Sequence, residues 1–158
     1  MANLADLTAD VRNDGYSQIN AEAKVCQDIV LKAIAQSSLS RNVTIKGGVV
    51  MRSITGDIRR ATQDMDLDFI RYSLSDDSIR SFIQKLNCIE GVSIRIDGEI
   101  TELSQQDYHG KRVEVIIEDD TGHSFVSKID LGVHKQAQIC RSIAHRLREC
   151  FKPMCIAV

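Results

Sequence analysis

The spacing of apolar positions predicts four helices along the chain. In four segments, apolar residues recur at steps of three and four, which places them on one side of a helix. The predicted helices are residues 16–36, a short helix carrying Val50, Met51 and Ile54, a helix carrying Ile79, Phe82, Ile83 and Leu86, and residues 137–150. Ser75 is the predicted N-cap of the third helix, and Gly56 is expected to end the second.

Shorter runs of alternating or continuous apolar residues predict five strands. They cover residues 43–45, 64–70, 92–96, 113–117 and 125–133. Gly98, Gly110 and Gly122 punctuate the last three runs, which favours an antiparallel meander joined to an earlier βαβ-like part. The predicted fold class is therefore α/β (α+β), with a mixed β-sheet flanked by helices.

Length and composition indicate one globular domain. The chain has 158 residues, of which 43% are apolar and 27% charged. We predict a single domain over residues 1–158, with residues 1–15 as an N-terminal extension and residues 137–158 as a C-terminal basic helix and tail. A net charge of -2 creates no strong field of either sign. Phosphates on a substrate would therefore have to be met by local positive groups and a metal.

Targeting and cysteine signals point to a cytoplasmic protein. The first residues show no basic stretch followed by an apolar run, so no signal peptide is predicted. No segment approaches the roughly 18 apolar residues that a membrane span needs, and we expect no membrane partner. The five cysteines are scattered and form no C-x-x-C, which disfavours a zinc site or a disulfide framework.

One predicted strand alternates acidic and apolar side chains. In order, it carries Asp64, Met65, Asp66, Leu67, Asp68 and Phe69. Successive strand side chains point to opposite faces, so the three carboxylates share one face and the apolar residues enter the core. Like charges this close repel, and a hard divalent cation, Mg²⁺ or Mn²⁺, would neutralise them.

Asp130 is a second candidate metal ligand. It faces away from the apolar side chains of its own strand, where a lone carboxylate is uncommon unless paired or metal-bound. With Asp64 and Asp66 it would suit a two-metal phosphoryl-transfer site. The acids are also typical of the solvated face of an edge strand. A calcium loop is excluded, because Phe69 and Ser75 stand where such a loop needs Gly and Glu.

Lys46-Gly47-Gly48 lies between a predicted strand and a predicted helix. Bare backbone N–H groups at a helix start can receive a phosphate. The glycines, followed by the acidic strand, predict a site for a phosphate-bearing ligand and a metal.

These two motifs resemble a known family. KGGVVMR (residues 46–52) followed by RRATQDMDLDF (residues 59–69) is similar to the signature of the AbiEii/AbiGii-type nucleotidyltransferases, the toxin components of bacterial abortive-infection and toxin–antitoxin pairs. The resemblance implies a nucleotidyltransferase-like fold and metal-dependent transfer of a nucleotidyl group from a nucleoside triphosphate. It also implies an antitoxin partner and an acceptor that is an RNA, such as tRNA, or a protein.

The resemblance also implies roles for individual residues. The nucleotide-binding positions would be Lys46, Gly47, Gly48, Arg52, Arg60 and Thr62. Asp64 and Asp66 match the metal-binding and catalytic pair, with Asp68 as a flanking acid, and Asp130 matches the third carboxylate.

Two alternatives remain open. Val49 stands where the family usually has a Thr or Ser, and nothing after Val133 matches the family's C-terminal region with its Lys. These departures favour a catalytically incomplete nucleotide-binding module. The second alternative is a structural interaction protein of the same fold, whose acids form only a solvated face.

Overall fold

The computed structural model describes residues 3–58, 61–105 and 108–133, and at residues 104, 105 and 108 it describes the backbone alone. These residues form a five-stranded mixed sheet and four α-helices. The helices are α1 (Leu4–Asn13), α2 (Gln18–Gln36), α3 (Gly47–Thr55) and α4 (Asp76–Lys85), with a short 3-10 helix at Ser38–Arg41. The strands are β1 (Val43–Lys46), β2 (Asp64–Phe69), β3 (Val92–Gln105), β4 (Tyr108–Asp119) and β5 (Ser124–Val133). The predicted α+β class with a mixed sheet is confirmed.

The strand order in the sheet is β1-β2-β5-β4-β3. β2 and β5 are parallel, and every other neighbouring pair is antiparallel. The chain leaves β2, passes through α4 and the β3–β4 hairpin, and returns as β5 beside β2. This return places two strands that are far apart in sequence next to each other at the acidic motif.

The core lies on the face of the sheet opposite the acids. Met65, Leu67 and Phe69 of β2 are at most 1% exposed, as the alternation predicted. Ile129 and Leu131 of β5 lie on the same face and are fully buried. Full burial of one such side chain contributes about 1.5–3 kcal/mol, so this face fixes the orientation of both strands.

Two helix boundaries lie where local sequence signals predicted them. The Ser75 hydroxyl accepts a hydrogen bond from the Ser78 N–H at the start of α4. Gly56 ends α3 with a φ of 65°, in the left-handed region that favours glycine. Both predicted boundaries are confirmed.

Two predicted strand boundaries are wrong. β3 continues through Gly98, which has a φ of 71° at a register shift between Asp97 and Thr101. β4 continues through Gly110, which pairs with Leu103. The glycines serve a bulge and a ladder position in one long hairpin, so they do not interrupt the strands.

The predicted N-terminal extension contains α1, a helix that the periodicity did not indicate. Asn3 caps it by accepting from the N–H groups of Ala5 and Asp6. Leu4 and Val11 are buried in the core, and Leu4 N–H donates to Asp119 Oδ2 at 2.8 Å. The predicted helix at 137–150 lies outside the described residues. Of the described helices, none has the length and apolar character needed to cross a membrane.

Candidate active site

The three predicted catalytic acids lie on one face of adjacent strands. In the parallel register of β2 and β5, Asp66 is opposite Asp130. Asp64 lies two residues before Asp66 and therefore shares its face. The Asp64 side chain is 48% exposed and that of Asp130 is 17% exposed. The site therefore opens to solvent at Asp64 and is more enclosed at Asp130.

β2 is an inner strand, since β1 and β5 pair with its two edges. The interpretation of the acids as the solvated face of an edge strand is therefore wrong for this strand. Asp68, at the end of the acidic row, has a side chain only 8% exposed. Its Oδ1 lies 2.7 Å from Lys46 Nζ. Lys46 thus neutralises part of the row and stays next to the predicted phosphate site.

Gly47 is the residue through which α3 approaches the acids. Its φ is 68°, and a Cβ built on it would lie 2.2 Å from Asp66 Oδ2. A side chain here would strain the left-handed backbone and displace the Asp66 carboxylate, which explains the first glycine of the motif. α3 starts here without a hydrogen bond from the Lys46 side chain to its first turn. The N–H groups of a helix's first turn carry partial positive charge, which would stabilise a phosphate bound at this end of α3.

Gly48 is required by a second close contact. A Cβ on Gly48 would lie 2.9 Å from Cβ and Cγ2 of Thr62. The Thr62 hydroxyl donates to the carbonyl oxygen of Asp64 at 3.3 Å. Thr62 thus joins the start of β2 to the start of α3. Arg60, the other predicted nucleotide-binding residue of this loop, lies outside the described residues.

Arg52 belongs to a buried chain of hydrogen bonds. It is 5% exposed, and its Nη1 donates to Gln27 Oε1 of α2 at 2.6 Å. Gln27 is fully buried and donates through Nε2 to the carbonyl oxygen of Thr62 at 2.8 Å. Arg52 Nη2 also lies 3.7 Å from Asp28 Oδ1. The chain of bonds ties α2 to α3 and to the loop before β2.

Arg112 is a site residue that the sequence interpretation missed. From β4 it donates through Nε and Nη2 to the two carboxylate oxygens of Asp130, at 2.6 and 2.8 Å. Its Nη2 also lies 3.7 Å from Asp64 Oδ2. Hydrogen bonding to Asp130 raises the pKa of Arg112 above its ordinary value, so the guanidinium is charged at every accessible pH.

The signals for the missed residues were partial. Alternation along residues 112–117 puts Arg112 on the face opposite Val113, but the partner of Arg112 depends on a register that alternation does not give. Gln27 interrupts the apolar side of a predicted helix, and a polar residue there indicates a specific buried partner.

The electrostatics of the site centre on Asp66. Burial raises the pKa of Asp66, and the charges of Asp130 and Asp64 raise it further. Lys46 and Arg112 act in the opposite direction and lower it. The ionised site therefore carries unrelieved negative charge, which a bound cation would stabilise.

The donor chemistry fits a hard cation. Asp64, Asp66 and Asp130 offer carboxylate oxygens, the ligands that Mg²⁺ and Mn²⁺ prefer. Among the described residues, no three His, Cys, Asp or Glu side chains are already arranged as a metal site. Arg112 meanwhile engages both oxygens of Asp130. As they stand, the three carboxylates therefore do not form a cation site, and uptake of a cation would require a local rearrangement.

Comparison with known proteins identifies the family. None of the curated proteins is significantly similar to this chain. A family model described as "Nucleotidyl transferase AbiEii toxin, Type IV TA system" matches residues 29–149, a range that contains both motifs and Asp130. The resemblance predicted from the motifs is thereby confirmed. The chain belongs to the AbiEii family of nucleotidyl transferase toxins of type IV toxin–antitoxin systems.

Proposed function

We propose that this chain transfers a nucleotidyl group from a nucleoside triphosphate to an acceptor in a reaction that depends on Mg²⁺ or Mn²⁺. The observation that carries the proposal is the pairing of Asp66 with Asp130 in parallel register, directly beside the N-terminus of α3 at Gly47. Carboxylates and a phosphate-binding helix start are the two parts that such a reaction needs in one place.

In this proposal the acids hold the cation and α3 holds the phosphates. Asp64, Asp66 and Asp130 are the cation ligands, and the N–H groups of Gly47 and Gly48 receive the triphosphate. A bound cation would supply positive charge to the reacting phosphate and to the leaving pyrophosphate. Lys46 and Arg60 would add positive charge beside the phosphates, Arg60 on the strength of the motif alone.

Asp130 is the proposed general base. It would accept the proton of the acceptor hydroxyl while the acceptor oxygen forms a bond to the α-phosphorus. The bond between the α-phosphorus and the bridging oxygen breaks, and the electron pair leaves with pyrophosphate. Asp130 has a side chain only 17% exposed, which favours a role close to the reacting atoms.

Arg52 and Thr62 have a positioning role in the proposal. Arg52 is buried against Gln27, which in turn holds the carbonyl oxygen of Thr62. These two hydrogen bonds fix the loop before β2, and the loop in turn sets the position of Asp64 and Asp66. The direct phosphate contact predicted for Arg52 from the motif stays a prediction.

The remaining partners follow from the family. A cognate antitoxin is the proposed protein partner, because the family belongs to toxin–antitoxin systems. The proposed acceptor is tRNA or another RNA, with a protein as the second possibility. We place the reaction in the cytoplasm, where nucleoside triphosphates and tRNA occur.

A nucleotide-binding module without turnover is the second candidate. Val49, at the position where the family usually carries a hydroxyl, is 1% exposed and packs in the core. Val49 cannot supply that hydroxyl, so the nucleotide site of this chain lacks one hydrogen-bonding group that the family motif implies, while the core stays packed.

Labelled-nucleotide transfer tests the proposal. The full chain is incubated with each α-labelled nucleoside triphosphate, Mg²⁺ or Mn²⁺, and total RNA, tRNA or cell protein. We expect label on one acceptor class, and at least about a hundredfold less with Asp64→Asn or Asp66→Asn, because cation ligands contribute several kcal/mol to the transition state. Asp97→Asn, an exposed acid of β3, is the matched control and should transfer normally.

The same samples separate the two candidates. Isothermal titration with each triphosphate and Mg²⁺ measures binding independently of transfer. Binding without transfer to any acceptor would select the module. Transfer that survives both aspartate substitutions would overturn the proposed site, as would the absence of both binding and transfer.

A further inference from the structure

We infer that Arg112 is a built-in counter-ion of the carboxylate site, which neutralises Asp130 when no cation is bound and must be displaced when one binds. The inference rests on the proposed function, since it presumes that Asp64, Asp66 and Asp130 take up a divalent cation. It goes beyond that function by assigning the metal-free state of the site to a particular residue.

The geometry of the pair is that of a specific contact. Arg112 uses two different nitrogens on the two oxygens of Asp130, at 2.6 and 2.8 Å. A bidentate guanidinium–carboxylate pair is among the strongest charge-assisted hydrogen bonds in proteins. The antiparallel register of β4 and β5 places the two residues directly opposite each other, so the backbone itself sets up the pair.

Charge makes the guanidinium and a cation mutually exclusive on Asp130. Arg112 lies 2.6 Å from one oxygen of Asp130 and 3.7 Å from Asp64 Oδ2, the two acids at the ends of the proposed ligand set. A divalent ion held by the same oxygens would lie close to the guanidinium and be repelled by its positive charge. One of the two partners must therefore leave Asp130.

Arg112 is the partner able to move. Its side chain is 32% exposed, on the open face of the sheet, and it is long and unbranched. Glu114 lies two residues further along the same face of β4 and already contributes to the field at Arg112. A rotation of the Arg112 side chain toward solvent and Glu114 frees Asp130 without moving either strand.

The inference predicts that removal of Arg112 lowers the stability of the metal-free protein and raises its affinity for the cation. Removing Arg112 takes the guanidinium away from Asp130 and Asp64, so the metal-free protein should lose stability. The same change removes the competitor for Asp130, so the cation should bind more tightly. A merely structural cross-strand pair predicts the first effect but not the second, because a displaced Asp130 would weaken the cation site.

Cation titration of the full chain without nucleotide is the test. Wild type, Arg112→Gln and Arg112→Lys are titrated with MgCl₂ and MnCl₂ by calorimetry, and their melting temperatures are recorded with and without the cation. Lys128→Gln is the matched control. Lys128 pairs with Glu114 on the same face of the sheet, so its substitution removes one positive charge without removing a contact to Asp130.

We expect Arg112→Gln to lower the melting temperature of the metal-free protein and to bind the cation at least about tenfold more tightly, a change of about 1.4 kcal/mol. Arg112→Lys loses the bidentate geometry but keeps the charge, and should fall between wild type and Arg112→Gln. Lys128→Gln should change the affinity less than Arg112→Gln does, because Lys128 lies beside Asp64 in the register but pairs with Glu114 and not with Asp130.

The possible failures are distinguishable. Equal or weaker cation binding by folded Arg112→Gln, or by Arg112→Lys if the first variant does not fold, overturns the counter-ion inference alone. An equally large gain in Lys128→Gln also overturns it, since the effect would then be general electrostatics. If neither wild type nor the Arg112 variants bind a cation, the metal-dependent function is overturned together with the inference.

Discussion

At the scale of single residues, Gly47 and Gly56 have the same backbone conformation for different reasons. Their φ values are 68° and 65°, in the left-handed region. At Gly47 a Cβ would collide with Asp66 Oδ2, whereas at Gly56 the added Cβ would meet no atom within 4 Å apart from those of its immediate chain neighbours. A substitution at Gly56 therefore tests backbone strain alone, whereas a substitution at Gly47 tests the same strain together with the close contact between α3 and Asp66.

We expect Gly56→Ala to lower the free energy of unfolding by about 1–2 kcal/mol, the cost of left-handed strain at one residue. Gly47→Ala should cost about 1–3 kcal/mol more, since Asp66 must be pushed aside. It should also abolish the rise in melting temperature that Mg²⁺ binding at the proposed site would cause, whereas Gly56→Ala should leave that rise unchanged. Urea unfolding of both variants is the measurement, and equal costs would show that the contact at Gly47 is unimportant.

The sequence predicted the faces of residues better than their partners. Strand alternation has a period of two in any topology, so Asp64, Asp66 and Asp130 could be placed opposite the apolar side chains. Their adjacency requires β5 to return parallel to β2, which no local signal states. Arg112 was missed for the same reason, because its contact with Asp130 exists only in one register of β4 on β5.

At the scale of elements, α1 is attached to the sheet through one carboxylate. Asp119, at the end of β4, accepts hydrogen bonds from Leu4 N–H at the start of α1 and from the N–H groups of Thr121 and His123. Burial alone would raise the pKa of Asp119, but these bonds and one from the Thr121 hydroxyl lower it to about 2. The charged form of Asp119 therefore stabilises the folded state.

Asp119→Asn tests this attachment through pH. The pKa in the folded state lies below the unfolded value of about 3.9, so the stabilisation is complete above pH 4 and is lost as the pH falls toward 2. At pH 7 the variant should lose about 2 kcal/mol of unfolding free energy. The difference from wild type should shrink between about pH 4 and pH 2.

Chemical denaturation at several pH values is the measurement for Asp119, and Asp120→Asn, an exposed acid one residue away, is the control. The control should unfold like wild type at each pH. A deficit of Asp119→Asn that stayed constant from pH 7 to pH 2 would contradict the role of its charge. It would indicate a packing effect of the amide instead.

Element boundaries were predicted well where a local capping residue begins or ends a helix, and poorly where a glycine stood in a strand. Ser75 and Gly56 have a local role in helix ends that hardly depends on the rest of the fold. Gly98 is compatible with a turn and with a bulge in a long hairpin, and only the pairing of β3 with β4 decides between them. The predicted strands were therefore too short at this hairpin.

At the scale of the whole molecule, the folded unit begins earlier in the sequence than the range that the family model matches. The family model begins at residue 29, inside α2. Leu4 and Val11 of α1 are buried, as are Ala21 and Val25 in the first half of α2. Gln27, which holds both Arg52 and the loop before the acidic strand, also precedes the matched range. The buried hydrogen bonds behind the site therefore begin outside the range that the family model matches.

Two truncations measure this dependence. A chain that starts at residue 16 lacks α1 but keeps Gln27, and should be destabilised by about 3–6 kcal/mol, because the burial of Leu4 and Val11 contributes about 1.5–3 kcal/mol each. A chain that starts at residue 29 also loses Ala21, Val25 and Gln27. That total approaches the 5–15 kcal/mol by which a whole domain is stable, so the fold should not persist.

Circular dichroism melts and size-exclusion chromatography distinguish the outcomes. We expect the chain from residue 16 to melt cooperatively at a lower temperature than the full chain. The chain from residue 29 should aggregate or show no cooperative transition, since Arg52 would be buried without Gln27, its hydrogen-bond acceptor on α2. A cooperative melt of the shorter chain near the full-length temperature would mean that β2, β5 and α3 hold the acids together unaided, and the buried hydrogen-bond chain through Gln27 would then contribute little to the site.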